Sequence, residues 1–181
     1  MNVLGHDIVV ALQLLRLTSP LLAFWPLQVS AQPLSNVVAT YAVRAWQTDD
    51  GLPQNSVHAI TQSREGYLWV GTREGLVRFD GVRFTGLGEE APAELRSGWI
   101  TALCPGQDGS LWIGCEGYGL AQMKEGKYTR FSEAEGLLSN QIRCLLESGN
   151  GALWIGSEGG LTRYEDGRFK NFTEKDGLAA N

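Results

Sequence analysis

Few residues in this chain of 181 could carry out acid–base or nucleophilic chemistry. Its two histidines are His6 and His58. His58 occupies a repeated position that also holds Thr101 and Arg143, so we interpret it as a variable polar residue, without the oriented partner that a catalytic base needs. No serine lies in a Gly-x-Ser-x-Gly motif, and no phosphate-binding loop or metal-binding motif is present. The sequence therefore predicts that this chain is not an enzyme and holds no cofactor or metal.

The cysteines and the acidic residues beside glycine do not form recognisable sites either. Cys104, Cys115 and Cys144 follow no CxxC or Cys/His spacing, so we expect small buried residues rather than disulfides or ligands. Asp108 and Asp166 each precede a glycine. A calcium site would need a ring of oxygen ligands, so these carboxylates are interpreted as turn residues.

Polar and aromatic residues in several loops could instead bind a ligand. A sugar would suit polar groups beside the aromatic rings of Trp99 and Tyr118, although ordinary solvated loops have the same composition. The candidate ligand-binding residues are Gln54, Asn55, Arg73, Glu74, Trp99, Glu116, Tyr118, Asn140, Gln141 and Glu158. They can act together only if the elements between them bring these loops to one surface.

Those elements repeat. Trp69, Trp112 and Trp154 lie in Leu-Trp-Val/Ile-Gly segments, 43 and 42 residues apart. An acidic or amide residue followed by Gly precedes each segment, and a second such pair follows it. Gly adopts positive φ freely, so these pairs predict two-residue hairpin turns. The predicted strands are 57–62, 67–72, 76–80 and 82–87, then 100–104, 111–115, 120–124 and 127–131, then 142–147, 153–157, 161–165 and 168–172.

The tryptophan strands indicate the architecture. They are apolar on consecutive residues, which predicts strands covered on both faces and tryptophans in the core. A four-stranded unit of about 42 residues, packed between similar units, is typical of a β-propeller blade. The prediction is an all-β fold, a partial β-propeller of about three four-stranded antiparallel blades. A two-sheet sandwich is the alternative.

Both ends of the repeat array lie inside a unit. Residues 44–52 match 170–178 in pattern, which predicts an outer strand that closes the ring. We assign 32–49 to a linker and this closing strand, and 50–181 to an incomplete propeller. Its units are 50–92, 93–135 and 136–176, with the start of a fourth at 177–181. Propellers have at least four blades, so we expect a fragment of a longer protein, or closure by oligomerisation.

Residues 1–31 differ in composition from the rest. Residues 8–29 are mostly apolar, with Arg16 as the one charged residue, and Val29-Ser30-Ala31 resembles a signal-peptidase site. This predicts a signal peptide, with an uncleaved membrane anchor as the alternative. The expected location is the periplasm or the extracellular face of the inner membrane. The net charge of −5 makes nucleic acid an unsuitable partner.

The exported start, the Asp-Gly-Leu-Pro-Gln-Asn segment at 50–55 and the Gly-x-Leu-Trp-Ile-Gly units together resemble the two-component regulator propeller repeats. These occur in the periplasmic sensor region of bacterial hybrid histidine kinases. The resemblance covers about residues 40–181. Residues 86–98 depart from it and predict a longer, reshaped connection. The resemblance implies that a transmembrane helix and an output module follow in the parent protein, whose membrane contact lies there or in the N-terminal segment.

The expected function is therefore ligand sensing without catalysis, in an extracytoplasmic segment of a bacterial signalling protein. The partner would be an extracellular ligand such as a carbohydrate, and the parent protein would be homodimeric. The alternative is a secreted propeller that binds or processes glycans and has no signalling output. A structural scaffold is a third possibility.

Overall fold

A computed structural model describes residues 43–179. The predicted signal peptide, and the linker as far as residue 42, lie outside the described residues. The described part contains three four-stranded antiparallel sheets, each a simple meander, which confirms the predicted partial propeller. The first sheet comprises β1 (Val57–Gln62), β2 (Leu68–Thr72), β3 (Gly75–Phe79) and β4 (Phe84–Gly86); the second β5 (Ile100–Pro105), β6 (Leu111–Cys115), β7 (Gly119–Lys124) and β8 (Lys127–Phe131); the third β9 (Ile142–Glu147), β10 (Leu153–Ser157), β11 (Gly160–Glu165) and β12 (Arg168–Phe172).

The hairpin turns are only partly of the predicted kind. The third and fourth strands of the second sheet join through a two-residue turn with positive φ at Glu125 (51°) and Gly126 (75°), as predicted. The turn between the first two strands is longer. In the first sheet the N–H of Gly66 donates to the carbonyl of Ser63, and Ser63 N–H donates to the carbonyl of Tyr67. Gly66 then closes a three-residue loop at φ 91°.

The segments that lead into the sheets reuse one short motif. The segments Thr48–Asp50, Glu133–Glu135 and Glu174–Asp176 each form one 3₁₀ turn followed by a glycine with positive φ. The link from the first to the second sheet instead contains a short helix, α1 (Ala93–Ser97). Its divergent sequence predicted a reshaped connection but not a helix. Residues 43–47, the described part of the predicted closing strand, are not hydrogen-bonded into a sheet.

The sheets pack face to face in chain order, with the first strands β1, β5 and β9 side by side. Two apolar layers separate them. The first contains Leu76, Leu95, Ile100, Leu111, Ile113, Cys115 and Ala121. The second contains Ala102, Cys104, Trp112, Leu120, Leu137, Ile142, Leu153 and Ile155. Trp112 is buried, as predicted, whereas Trp69 and Trp154 are only partly buried.

The glycines that end the tryptophan strands permit this close packing. A methyl group on Gly71 would lie 2.6 Å from Ile100 Cγ2, and one on Gly114 would lie 2.8 Å from Ile142 Cγ2. Each glycine therefore forms a notch that receives an isoleucine from the first strand of the next sheet. Sheet spacing thus depends on having no side chain at these positions.

Candidate functional site

The loops that carry the predicted binding residues meet at one edge of the sheets, which we call the upper rim. It consists of the segments before β1, β5 and β9 together with the turns after β2, β6 and β10. Backbone hydrogen bonds join the two sets: Glu116 N–H donates to the Trp99 carbonyl (2.9 Å), and Glu158 N–H to the Gln141 carbonyl (3.2 Å). The sheet topology therefore brings residues distant in sequence to one surface.

One cluster on the upper rim lies between the first and second sheets. The guanidinium carbon of Arg73 lies 4.6 Å from the centre of the Trp99 ring, within cation–π range. The ring of His58 lies 5.1 Å from the same tryptophan. The Trp99 indole nitrogen is buried and has no hydrogen-bond partner among the described residues. This cluster combines two basic side chains with a large aromatic surface.

A second cluster lies between the second and third sheets. Arg143 forms ion pairs with Glu116 (3.1 Å) and with Glu158, which belong to adjacent sheets. The hydrogen bond that Arg143 donates to the Glu158 carboxylate raises the pKa of Arg143 above its ordinary value. With its amide turned to donate, the Gln141 nitrogen lies 2.6 and 3.0 Å from the two carboxylate oxygens of Glu116. The second cluster therefore holds two carboxylates and one guanidinium, a net negative charge, whereas the guanidinium of Arg73 makes the first cluster positive.

Tyr118 extends the upper rim along the second sheet. The guanidinium of Arg130 lies 4.6 Å from the centre of its ring, and Arg130 Nε donates to the Tyr118 carbonyl at 3.0 Å. Burial raises the pKa of the Tyr118 hydroxyl, and the nearby carboxylate of Glu94 raises it further. The ring therefore stays neutral, with one face occupied by a cation.

Four of the predicted residues make hydrogen bonds within their own loops. Asn55 Oδ1 accepts from Thr48 N–H (2.9 Å), and Asn140 Oδ1 accepts from Glu133 N–H (3.1 Å), so both amides tie a loop to its 3₁₀ turn. The side chain of Gln54 accepts from Ser56 N–H. The backbone N–H of Glu74 donates to Thr72 Oγ1. The two asparagine contacts explain why an amide recurs at this position of the repeat, independently of any ligand.

Three residues of the upper rim were not among the predicted site residues: His58, Arg130 and Arg143. The sequence held a signal for two of them, since His58 and Arg143 occupy the same variable polar position of the repeat. That position follows directly after the loop into the first strand, so the repeat alignment places both on this edge. Arg130 gave no comparable signal, because its contact with Tyr118 joins the turn after β6 to β8.

The described residues do not assemble a recognisable nucleophile. Burial raises the pKa of Cys115 to about 12, and nearby carboxylates add to the effect, so its thiol is protonated at neutral pH. Burial also raises the pKa of Cys104. Cys144 is exposed, so the expectation of a small buried residue was wrong there. No group of three His, Cys, Asp or Glu side chains that could hold a metal ion occurs within residues 43–179.

The acidic turn residue Asp108 is used in the turn, at the edge opposite the upper rim. Its carboxylate accepts from Ser110 N–H at 3.0 Å and pairs with Lys124 Nζ at 2.6 Å. The bond from Lys124 is the main cause that lowers its pKa to about 2, from the ordinary 3.8. Both side chains are about half exposed, so solvent screens the pair and its expected contribution to stability is small.

A pH dependence follows from this pair. A carboxyl group whose pKa falls on folding stabilises the protein above pH ~4, and the stabilisation is lost as the pH falls to ~2. The variant Asp108→Asn keeps an acceptor for the turn, as Asn150 does in the third sheet. We expect it to unfold more easily in urea than the wild-type chain at pH 6, with the difference gone at pH 2. A difference that persists at pH 2 would contradict this assignment.

A cleft of about 230 Å³ lies at the edge opposite the upper rim, between the first and second sheets, and we call it the lower cleft. Tyr67, Trp69, Arg78 and Met123 line it, and the guanidinium carbon of Arg78 lies 4.4 Å from the centre of the Tyr67 ring. The sequence prediction did not include this cleft. The cleft is an alternative candidate for the ligand site, and variants at the two edges can show which of the two binds the ligand.

Within the described residues, no helix is long and apolar enough to cross a membrane.

One curated protein is similar to part of this chain. Histidine kinase P4 of Formosa agariphila is 46% identical over 46 residues, which are 25% of this chain and 3% of the kinase. The chain thus spans only a small part of that relative.

Solved structures show the same fold. The extracellular domain of the hybrid two-component system BT4673 from B. thetaiotaomicron superposes with a TM-score of 0.62 and 25% identity, over 75% of this chain and 19% of that chain. Virginiamycin B lyase from Staphylococcus aureus superposes with a TM-score of 0.52 at 17% identity, over 67% of this chain and 42% of the lyase. At that identity the lyase shares the fold alone.

The family comparison agrees with the repeat units. The family described as "Two component regulator propeller" matches residues 51–74, 94–117 and 136–159. Each match covers the link, the first two strands and the following turn of one sheet. Each of the three sheets therefore carries one match to the two-component regulator propeller family.

Proposed function

We propose that this chain is an extracytoplasmic sensory segment of a bacterial signal-transduction protein of the two-component type. The carrying observation is the similarity of the described fold to the extracellular domain of a hybrid two-component system, over 75% of this chain. The local identity to a histidine kinase supports the same assignment. The chain spans only a small share of each of these relatives. For the whole protein we therefore propose, in addition, a transmembrane helix and a kinase or other output module.

We further propose that the ligand binds the upper rim. The first cluster offers the guanidinium of Arg73 and the unpaired indole N–H of Trp99, and the second offers the carboxylates of Glu116 and Glu158. Charged donors and acceptors at adjacent positions suit the many hydroxyl groups of a carbohydrate. The Trp99 and Tyr118 rings each lie against an arginine. A ligand would therefore contact the polar edges of these rings, or the arginines would have to move aside.

The proposed role excludes catalysis by this chain. A general base must lie within hydrogen-bond reach of the proton it removes and is oriented by a partner. Among the described upper-rim residues, His58 packs on an aromatic ring, and Glu116 and Glu158 are held by Arg143. This arrangement supports recognition of a ligand rather than its conversion.

A panel of neutral and acidic oligosaccharides, screened by thermal shift with the full chain, tests the proposed site. We expect one class to raise Tm, because a ligand that binds only the folded state stabilises it. Trp99→Ala should weaken binding by roughly tenfold or more, about 1.4 kcal/mol or above. Tyr67→Ala, in the lower cleft, is the matched control and should leave affinity unchanged. If Tyr67→Ala weakened binding and Trp99→Ala did not, the ligand site would be the lower cleft. If no oligosaccharide raised Tm, carbohydrate would be rejected as the ligand.

A further inference from the structure

The lower cleft contains an arginine that forms no ion pair with a described residue. Arg78 lies on β3, where it is half-buried between buried neighbours, and its guanidinium carbon lies 4.4 Å from the centre of the Tyr67 ring. Glu65 and Glu125 also line the cleft, but neither carboxylate accepts a hydrogen bond from Arg78. Stacking on the ring uses the face of the guanidinium and leaves the N–H groups in its plane free to donate.

The third sheet shows what an arginine at this position binds when a carboxylate is within reach. Arg163 is the equivalent of Arg78, since each lies opposite the tryptophan of its second strand. Arg163 Nη2 pairs at 2.6 Å with the carboxylate of Glu165, two residues further along β11. Two residues after Arg78 the chain has Asp80, whose carboxylate instead accepts two backbone N–H groups of its own turn, at 2.8 Å each. Arg78 therefore lacks the carboxylate that its equivalent has.

Apolar side chains from both sheets also line the lower cleft. Trp69 lies beside Arg78 on the first sheet, and Pro105, Leu111 and Met123 come from the second sheet. An indole, a thioether and aliphatic groups suit a flat apolar ligand better than they suit the many hydroxyl groups of a sugar. The volume of about 230 Å³ is below the ~300 to 1,000 Å³ of sites that enclose drug-sized ligands, so the ligand would be small.

The corresponding crevice between the second and third sheets differs in charge. Gln122 takes the place of Arg78 there, because it lies opposite Trp112 in the second sheet. The carboxylates that line this crevice are those of Asp108, Glu147, Glu165 and Asp166. An arginine without a carboxylate partner is therefore particular to the lower cleft and is not a general feature of the repeat.

We propose that the lower cleft is a second binding site, for a small carboxylate with a flat apolar body, such as an aromatic carboxylic acid. The ligand carboxylate accepts from the guanidinium of Arg78, as the carboxylate of Glu165 accepts from Arg163. The apolar body lies against Trp69 and Met123. Two parallel N–H bonds from one guanidinium give such a contact both strength and direction. This site lies at the edge opposite the upper rim and does not depend on the sugar site proposed there.

NMR titration of the ¹⁵N-labelled full chain with benzoate, 4-hydroxybenzoate and cinnamate tests the proposal. We expect saturable binding of at least one of them, with a dissociation constant of roughly 1 mM or lower. Cinnamyl alcohol has the ring without the charge, and glucuronate has the charge without the flat body. Each should bind at least about tenfold more weakly than the best aromatic carboxylate. If none of the three carboxylates saturates the chain below roughly 10 mM, or if glucuronate binds as tightly, the proposal is wrong.

Substitutions at one repeat position identify the group that binds the carboxylate. Arg78→Gln introduces the residue type that the second sheet has at this position, so folding should persist, which circular dichroism verifies. It should raise the dissociation constant by roughly tenfold or more. Arg78→Lys keeps the charge but not the fork of N–H groups, and should retain only part of the affinity. Arg163→Gln is the matched control, because that guanidinium is already paired with Glu165, and it should change nothing. Unchanged affinity in Arg78→Gln, or an equal loss in Arg163→Gln, would overturn the proposal.

Discussion

Replacing Trp112 with alanine is expected to lower the free energy of unfolding by about 3 to 5 kcal/mol. Trp112 is 6% exposed and lies between the second and third sheets, with ring centres 5.9 Å from Phe131 and 5.6 Å from Tyr164. Its removal would leave a cavity in a layer that holds two repeats together. Since small domains are stable by only about 5 to 15 kcal/mol, the loss would be a large part of the total. Urea denaturation followed by fluorescence measures it.

Trp154→Ala is the matched control for this prediction. Trp154 has the same position in the repeat but lies on the face of the third sheet that no described sheet covers, where it is only partly buried and stacks on Phe172 at 5.9 Å. Its replacement should cost about 1 to 2 kcal/mol, because much of its surface is already in water. Equal losses for the two variants would contradict the packing of sheets in chain order.

The second large effect is expected at Gly114. A methyl group there would lie 2.8 Å from Cγ2 and 3.0 Å from Cβ of Ile142, and 3.2 Å from Oγ1 of Thr101. Overpacking of this kind costs about 1 to 3 kcal/mol, so Gly114→Ala should destabilise the chain by that amount. Gly86→Ala is the control, because no atom lies within 4 Å of the added methyl group. It should be neutral or slightly stabilising in the same denaturation experiment.

A double variant identifies the cause of the Gly114 effect. Ile142→Ala removes the side chain that the new methyl group meets, so the two substitutions should together cost less than the sum of their separate costs. Contacting residues commonly show coupling of about 0.5 to 3 kcal/mol, and we expect a value above ~1 kcal/mol. Strict additivity would mean that Gly114 matters for another reason.

The fold was predictable because the same sequence pattern occurs three times and predicts the same four-stranded unit each time. The predicted strands agree with β1, β6, β8, β9, β10 and β12 at both ends and differ by one or two residues elsewhere. Turn lengths were less predictable, since Glu65-Gly66 and Glu125-Gly126 are alike in sequence but close loops of different lengths. In the Glu65-Gly66 turn, Gly66 N–H donates to the carbonyl of Ser63, so the turn also includes the residues before Glu65.

Burial of the tryptophans was not predictable from the motif. Trp69, Trp112 and Trp154 lie in nearly the same local sequence, and their exposure differs because their neighbours differ. Trp112 lies in the buried layer between the second and third sheets, Trp69 lines the cleft between the first and second sheets, and no described sheet covers Trp154. A local pattern shows which face of a strand is apolar, but it does not show what covers that face.

The upper rim was predictable as a location but less so as a set of side chains. Topology places the loops together, and the repeat fixes which loops these are. Asn55 and Asn140 were candidates because amides suit ligands, but the same amides suit the capping of 3₁₀ turns. Arg143 was missed because its bridging role depends on the distance between two sheets. Sequence spacing alone does not give that distance.

Ligand recognition without catalysis is the central claim, and calorimetry combined with product analysis tests it most directly. The full chain is titrated with the oligosaccharide that raises Tm most and is then incubated with an excess of it for hours, followed by mass spectrometry of the sugar. The account predicts saturable binding that Trp99→Ala weakens and Trp154→Ala does not, with the oligosaccharide recovered intact. Recovery of cleaved or otherwise altered sugar would contradict this account, and so would an affinity that Trp99→Ala leaves unchanged.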